Sequence, residues 1–266
     1  MAEREIWSVE KIRNLFDLTG KTAIVTGGSG AFGHDAAKGL AAYGANVVVT
    51  SRRAEKIEAA AADIAGATGA KVKAVSCDVM DADSVEAMVQ ETVTEFGGVD
   101  ILVTAAGEAD RHPAEEFPID AWQKVMDSLV KGTYLCCQSA GRQMIKQGGG
   151  KIVTVGSVRG ELGHPGGYSA YGTAKGAVHL LTKQLSTEWA KYHINVNSIA
   201  PCIFWTPLTQ QVIEDPELKK IFLSRIPWGR VADPQDFIGA VVYLASAASD
   251  FVTGEIMAVD GGSTAG

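Results

Sequence analysis

Short, near-continuous apolar runs rich in β-branched residues recur along the chain, at Thr22–Thr26, Asn46–Thr50, Val72–Ser76, Ile101–Thr104, Ile152–Val155, Ile194–Ile199 and Ile256–Val259. Because polar residues do not alternate through them, they predict strands buried on both faces. Helical patterns fall between. Ala31–Tyr43 is Ala-rich with apolar residues at helical spacing. Asp83-Ser84-Val85-Glu86 has the form of a capping box and predicts a helix from there toward Phe96. Tyr168–Tyr192 is a long helical pattern without proline, and Asp233-Pro234 opens a helix through Ala245 with proline in its first turn. Strand alternating with helix implies parallel βαβ units with right-handed crossovers. The expected fold class is therefore α/β, a single doubly wound domain with a parallel sheet of about seven strands and helices on both faces. Gly148-Gly149-Gly150 is the one candidate boundary, but a helix end feeding a strand explains it equally well. The division expected is an N-terminal extension over 1–17 and one domain over 18–266.

Composition narrows the class. A chain of 266 residues, 46% hydrophobic and 21% charged, buries a sizeable core without disulfides or metals. Its net charge of -7 repels nucleic acid and anionic membranes on average, so neither is an expected partner. Cys77, Cys136, Cys137 and Cys202 lack metal-ligand spacing and read as reduced thiols, with no metal site. The N-terminal MAEREIWSVEKIRNLF has no apolar core segment, and no run is long enough to span a bilayer. The expected location is the cytoplasm.

The first apolar run leads into Thr26-Gly27-Gly28-Ser29-Gly30-Ala31-Phe32-Gly33 and then a helical pattern. In that context glycines allow a tight turn and let amide N–H groups at a helix N-terminus approach a pyrophosphate, which makes the domain Rossmann-type. Gly27, Ser29, Gly30, Phe32 and Gly33 are the candidate contacts. The bland alternative is a glycine-rich turn with no ligand. An NAD-binding unit ends its second strand on a carboxylate; here Val49-Thr50-Ser51-Arg52-Arg53 has none. Two guanidiniums and the Ser51 hydroxyl suit a 2′-phosphate, so NADP(H) is expected over NAD(H). A solvated basic start to the next helix is the competing reading.

Tyr171 and Lys175 stand four apart on a predicted helix and share a face. A free tyrosine, with a pKa near 10, is a poor base, and a nearby cation is expected to lower that value. A carbonyl receiving hydride also needs a proton donor, which such a tyrosine can be. Alone, the pair reads as an exposed helix face. With the glycine loop, Leu18-Thr19-Gly20-Lys21 and Val259-Asp260-Gly261-Gly262, the chain resembles the short-chain dehydrogenase/reductase family over nearly its whole length.

That resemblance implies a catalytic set. Ser157 positions the substrate oxygen, Tyr171 is the proton donor and acceptor, and Lys175 holds the nicotinamide ribose. Asp78 and Val79 become adenine contacts. Ala105, Ala106 and Gly107 lie beside the cofactor, as do Pro201 and Ile203, and Thr206 holds the carboxamide. For Asp78 and Thr206 a helix cap or turn residue is the equal alternative. A homo-tetramer or homo-dimer is also implied. Within the family, Arg111-His112-Pro113, Glu116-Phe117-Pro118, Glu161-Leu162-Gly163 and Tyr192-His193-Ile194-Asn195-Val196-Asn197 resemble sugar-acid oxidoreductases of the gluconate 5-dehydrogenase type. The expected function is hydride transfer between NADP(H) and a small ketone or secondary alcohol, with a carboxylate-bearing substrate held by Arg111, His112 and Arg159. His164 and Trp205 are further candidates for the pocket.

Four departures from the family pattern stand out: Ala31 in the phosphate loop, Thr104-Ala105-Ala106-Gly107 for Asn-Asn-Ala-Gly, Cys202 after Pro201, and Leu129 for the asparagine that holds a water in a proton relay. They motivate the alternative of a slow or inactive NADP(H)-binding member with a regulatory role.

Overall fold

The computed structural model describes residues 8–205 and 209–266. Its strands are β1 Thr22–Thr26, β2 Asn46–Ser51, β3 Val72–Ser76, β4 Ile101–Thr104, β5 Gly150–Val155, β6 Ile194–Pro201 and β7 Ile256–Val259. They form one parallel sheet in the order β3-β2-β1-β4-β5-β6-β7. The helices are α1 Val9–Arg13, α2 Ala31–Ala42, α3 Ala54–Thr68, α4 Ala82–Phe96, α5 Ile119–Met126, α6 Gly132–Gln147, α7 Ser169–Trp189, α8 Gln210–Glu214, α9 Pro216–Leu223 and α10 Pro234–Ala245.

Successive strand residues point to opposite faces, and each face has its own core. Ala23, Val25, Val47, Val49 and Val153 pack with α2, α3 and α10 through Leu40, Ile57 and Phe237. Ile24, Val48, Leu102 and Ile152 pack with α4 and α6 through Met88, Cys137 and Met144, and with Leu185 of α7. Double burial is why the strands read as continuous apolar runs.

One expectation needs correction. The α4 cap is Asp81, whose carboxylate accepts the Asp83 N–H at 3.0 Å, so the helix begins two residues before the predicted capping box. The Ser84 hydroxyl instead accepts the Asp78 N–H at 3.1 Å. The glycine run Gly148-Gly149-Gly150 is no boundary. Gly148, at φ 89°, ends α6 and hands the chain to β5 within the same sheet. Between α5 and α6 the helix widens into a π-helical segment, Asp127–Lys131, which carries Leu129. Residues 8–17 contain α1 and a turn at Asn14–Phe16, neither with a buried residue, and Leu18 is the first to enter the core.

Candidate active site

The strand order reverses between β1 and β4, and their C-terminal ends open a crevice of the kind in which such sheets bind ligands. Two glycines set its shape. Gly27 turns at φ 69°, and a Cβ there would lie 2.8 Å from the Ala105 carbonyl oxygen and the Ala106 nitrogen. A Cβ on Gly33 would lie 2.3 Å from the Gly27 carbonyl oxygen. Loop, β4 end and α2 thus meet backbone to backbone. Gly30 is the N-cap of α2 and Ala31 its first residue, so Ala31 starts the helix without displacing the loop. The N–H groups of Ala31, Phe32 and Gly33 are the first-turn donors that no helical carbonyl can take. With the positive end of the helix dipole, they fit the pyrophosphate of a dinucleotide.

The other expected cofactor residues surround this cradle. Ser29 and Ser51 put their hydroxyls 3.2 Å apart. Arg52 is ion-paired with Glu108, which also binds Lys124 at 2.8 Å. The Lys124 hydrogen bond, then that of Arg52, holds the Glu108 carboxyl below its usual range against the opposing effect of burial. Glu108 carried no signal in the sequence, being one acidic residue in a loop. Arg53, the N-cap of α3, is exposed and caps no backbone group. Ala106 donates its N–H to the Thr26 hydroxyl at 3.2 Å, and Gly107 leaves the space that Leu129 fills. Pro201 ends β6, and Ile203 accepts the Ala232 N–H at 3.2 Å.

Several placements are structural. The Phe32 ring packs edge-on against Phe204 and Phe237, with centroids 5.1 and 4.9 Å away, leaving its backbone for the crevice. The Asp78 carboxylate accepts the Met80 N–H at 3.0 Å as a turn residue, and Val79 packs on Gly132. Thr206 lies outside the described residues.

Ser157, Tyr171 and Lys175 come together where β5 meets α7. Ser157 follows β5, and its hydroxyl accepts the Arg159 N–H at 3.1 Å. Lys175 is buried, and its ammonium donates to the Val155 carbonyl at 2.5 Å, 5.7 Å from the centre of the Tyr171 ring. Burial brings the Lys175 pKa down to about 8. Burial also holds the Tyr171 phenol above its usual value, against a Ser157 hydrogen bond and the Arg159 charge. The expectation that Lys175 would dominate and lower the Tyr171 value is thus corrected, since desolvation of the ring is the larger effect. A phenol kept protonated beside a serine hydroxyl is arranged to donate a proton to a bound oxygen. Leu129 joins Val125, Ala170 and Ala174 in an apolar cluster against Tyr171, so no polar side chain stands where the family's asparagine would.

His179, one turn beyond Lys175, was missed by sequence reasoning, although the i, i+4 spacing placed it on the same face. Its ring is wedged between Gly156 and Gly160, where a Cβ would approach to 2.3 and 2.7 Å. Its Nε2 accepts the Ser157 N–H at 3.4 Å and its Nδ1 faces Glu161 at 3.7 Å. Burial, then the Lys175 charge, brings its pKa to about 4 from 6.5. Between those values the unfolded chain binds more protons than the folded one, so stability falls as pH drops from about 6.5 to about 4. Urea unfolding at pH 7 and pH 5 should show His179→Gln escaping about 2 kcal/mol of the acid loss that the parent suffers. Equal losses in both proteins would contradict a neutral, buried His179.

The expected substrate residues separate. Arg111, His112, Arg159 and His164 line a cleft of about 740 Å³ together with Tyr168 and Thr173. Arg111 donates to the Tyr168 hydroxyl at 3.1 Å and lies 5.2 Å over its ring, and that ring stands 6.0 Å from the Tyr171 ring. Arg159 is half-buried and donates to the Gly163 carbonyl at 3.3 Å. His112 faces Asp110 at 3.2 Å and packs edge-on against Phe117, with ring centroids 4.9 Å apart, while Arg111 turns to Tyr168. Trp205 is 44% exposed and lies outside the wall of this cleft.

The family model described as enoyl-(acyl carrier protein) reductase matches residues 29–264. Gluconate 5-dehydrogenase of Gluconobacter oxydans is 39% identical over 94% of this chain and 97% of its own. A short-chain type dehydrogenase/reductase of Mycobacterium marinum superimposes with a TM-score of 0.91 at 36% identity, covering 96% of this chain and 100% of its own. A gluconate 5-dehydrogenase of Burkholderia cenocepacia, solved in complex with NADP and tartrate, also gives a TM-score of 0.91 at 36% identity, over 95% of this chain and 98% of its own. This chain belongs to the short-chain dehydrogenase/reductase family of oxidoreductases. Among its relatives are the gluconate 5-dehydrogenases, enzymes named for a sugar acid.

Proposed function

We propose that the protein is an NADP(H)-dependent reductase of a small ketone bearing a carboxylate, a sugar acid being the best example, and that it oxidises the corresponding secondary alcohol in reverse. The observation that carries this reading is the meeting of Ser157, Tyr171 and Lys175 beside both the glycine cradle and an arginine-lined cleft. The NADP and tartrate in the Burkholderia cenocepacia structure support both halves of it, the cofactor and the carboxylate.

NADPH supplies the hydride when bound, and the residues of the chain do the rest. Ser29, Ser51 and Arg53 hold the 2′-phosphate, with Arg52 if it leaves Glu108, and the α2 N-terminus holds the pyrophosphate. Ser157 fixes the carbonyl oxygen, and Arg111 and Arg159 fix the carboxylate. Tyr171 passes its hydroxyl proton to the oxygen as the carbon receives hydride, so the C=O bond becomes CH–OH. Lys175 lies close enough to supply positive charge as the phenolate forms. The slow or inactive alternative is not favoured, because the proton donor and its partners are all in place. Residues 18–266 form the catalytic domain and 1–17 an extension. Homo-oligomeric assembly and a cytoplasmic setting complete the proposal. No described helix is long and apolar enough to cross a membrane.

The test is Arg111→Ala, assayed with a keto acid and with its methyl ester. One charge-assisted contact is worth about 1.5–3 kcal/mol, so KM for the acid should rise about 10-fold or more while KM for the ester stays nearly unchanged. Equal effects on both would leave Arg111 a solvated loop residue.

A further inference from the structure

One ion pair spans the mouth of the glycine cradle. In the sheet β2 and β4 flank β1, whose C-terminal end runs into the glycine loop. Arg52 directly follows β2 and Glu108 lies in the loop after β4, so their ion pair joins the two flanking strands at the edge where the glycine loop sits. The backbone fixes both sides. Gly28 donates its N–H to the Thr50 carbonyl at 3.1 Å, and the Ser29 hydroxyl donates to that of Ser51 at 3.2 Å, which holds the end of β2 against the loop. On the other side Gly27 backs onto Ala105 and Ala106.

The two oxygens of Glu108 serve different cations. Its Oε1 pairs with Arg52 and its Oε2 with Lys124 of α5 at 2.8 Å. The Glu108 N–H donates to the Ser128 hydroxyl at 3.2 Å, in the π-helical segment that follows α5. Backbone and one oxygen thus tie Glu108 to α5 and its continuation, while Arg52 reaches it from the opposite strand. The Lys124 bond also has the larger effect on the proton affinity of the carboxyl. The Arg52 side chain is 50% exposed and that of Glu108 33%, so water screens their attraction. A phosphate monoester carries more charge than a carboxylate and accepts a guanidinium in the same bidentate fashion, so it competes well for Arg52.

We propose that Glu108 is a specificity-determining residue for the cofactor: it holds Arg52 until the 2′-phosphate of NADP(H) takes that arginine, and Lys124 then keeps the carboxylate. This rests on the NADP(H) function proposed above. NAD(H) presents ribose hydroxyls at that point and no anion, so it leaves the pair closed. Binding NADP(H) opens one ion pair and binding NAD(H) opens none. Glu108 therefore narrows the preference that Ser51 and the arginines create, and Lys124 limits that effect by neutralising the carboxylate that Arg52 leaves behind.

The test is calorimetric titration of the intact protein with NADPH and with NADH. Glu108→Gln should tighten NADPH by about 3- to 5-fold, the worth of one exposed ion pair, and leave NADH within about twofold. Arg52→Gln should weaken NADPH, and adding Glu108→Gln to it should change NADPH affinity by less than about twofold, because no pair is left to open. Lys124→Met should act in the opposite direction and weaken NADPH by about 3-fold, since Glu108 then keeps Arg52 as its only cation. Three results overturn the exchange while the NADP(H) enzyme stands: NADPH affinity unchanged in Glu108→Gln, NADPH and NADH tightened alike, or a gain that persists in the Arg52→Gln background. A parent protein that binds NADH as tightly as NADPH makes the cofactor reading and the exchange fail together.

Discussion

Tyr171→Phe lowers carbonyl reduction by about 10²–10⁴-fold, the contribution expected of a positioned general acid, and changes NADPH affinity by less than about threefold. The variant keeps the ring against Tyr168 and the Leu129 cluster and loses the transferable proton. The loss should fall on kcat, since substrate is still held by Ser157 and the arginines. The parent enzyme should show a matching pH dependence. Burial keeps the phenol protonated through neutral pH, so reduction proceeds there, whereas alcohol oxidation needs the phenolate and should accelerate as the pH rises. NADPH consumption across pH, with fluorescence titration of the cofactor, measures both. Turnover by the Phe variant within about tenfold of the parent would remove Tyr171 from the chemistry.

Gly33→Ala has a comparably large effect for a purely steric reason. The new methyl would sit 2.3 Å from the Gly27 carbonyl oxygen, and its next neighbours are also backbone atoms, so no side chain can turn aside. The α2 N-terminus must withdraw from the loop, which misplaces the donors that face the pyrophosphate. Overpacking of this kind costs about 1–3 kcal/mol of stability. NADPH affinity should fall by about 10²-fold or more, because several aligned N–H groups are displaced at once. Calorimetric titration and thermal melting read the two effects separately. Unchanged cofactor affinity would show that the dinucleotide does not sit on this turn.

The central strands were legible because they are buried on two faces by separate helix layers, which makes their apolar runs continuous. The glycine loop was legible because backbone-to-backbone contact admits only glycine at Gly27 and Gly33. Tyr171 and Lys175 were legible from helical spacing. Other features depend on distances that no local pattern encodes. The α4 cap shifted because Asp81, Asp83 and Ser84 all offer oxygen acceptors within one turn, and Ser84 was taken by the Asp78 N–H. The π-helical segment at Asp127–Lys131 has no residue signature of its own. The pairing of Arg52 with Glu108 spans 56 positions.

The most direct measurement is the ratio of NADPH oxidised to alcohol formed when the purified protein meets 5-keto-D-gluconate at neutral pH, using NADPH deuterated at the transferable position. The expected result is one alcohol per NADPH, deuterium on the former carbonyl carbon, and NADH at least about tenfold poorer, because β2 ends on Ser51 and arginines with no carboxylate to hold the ribose hydroxyls. NADPH bound but never oxidised across keto acids and neutral ketones, or oxidised with no deuterium in the product, would contradict a hydride-transferring enzyme built on Ser157, Tyr171 and Lys175.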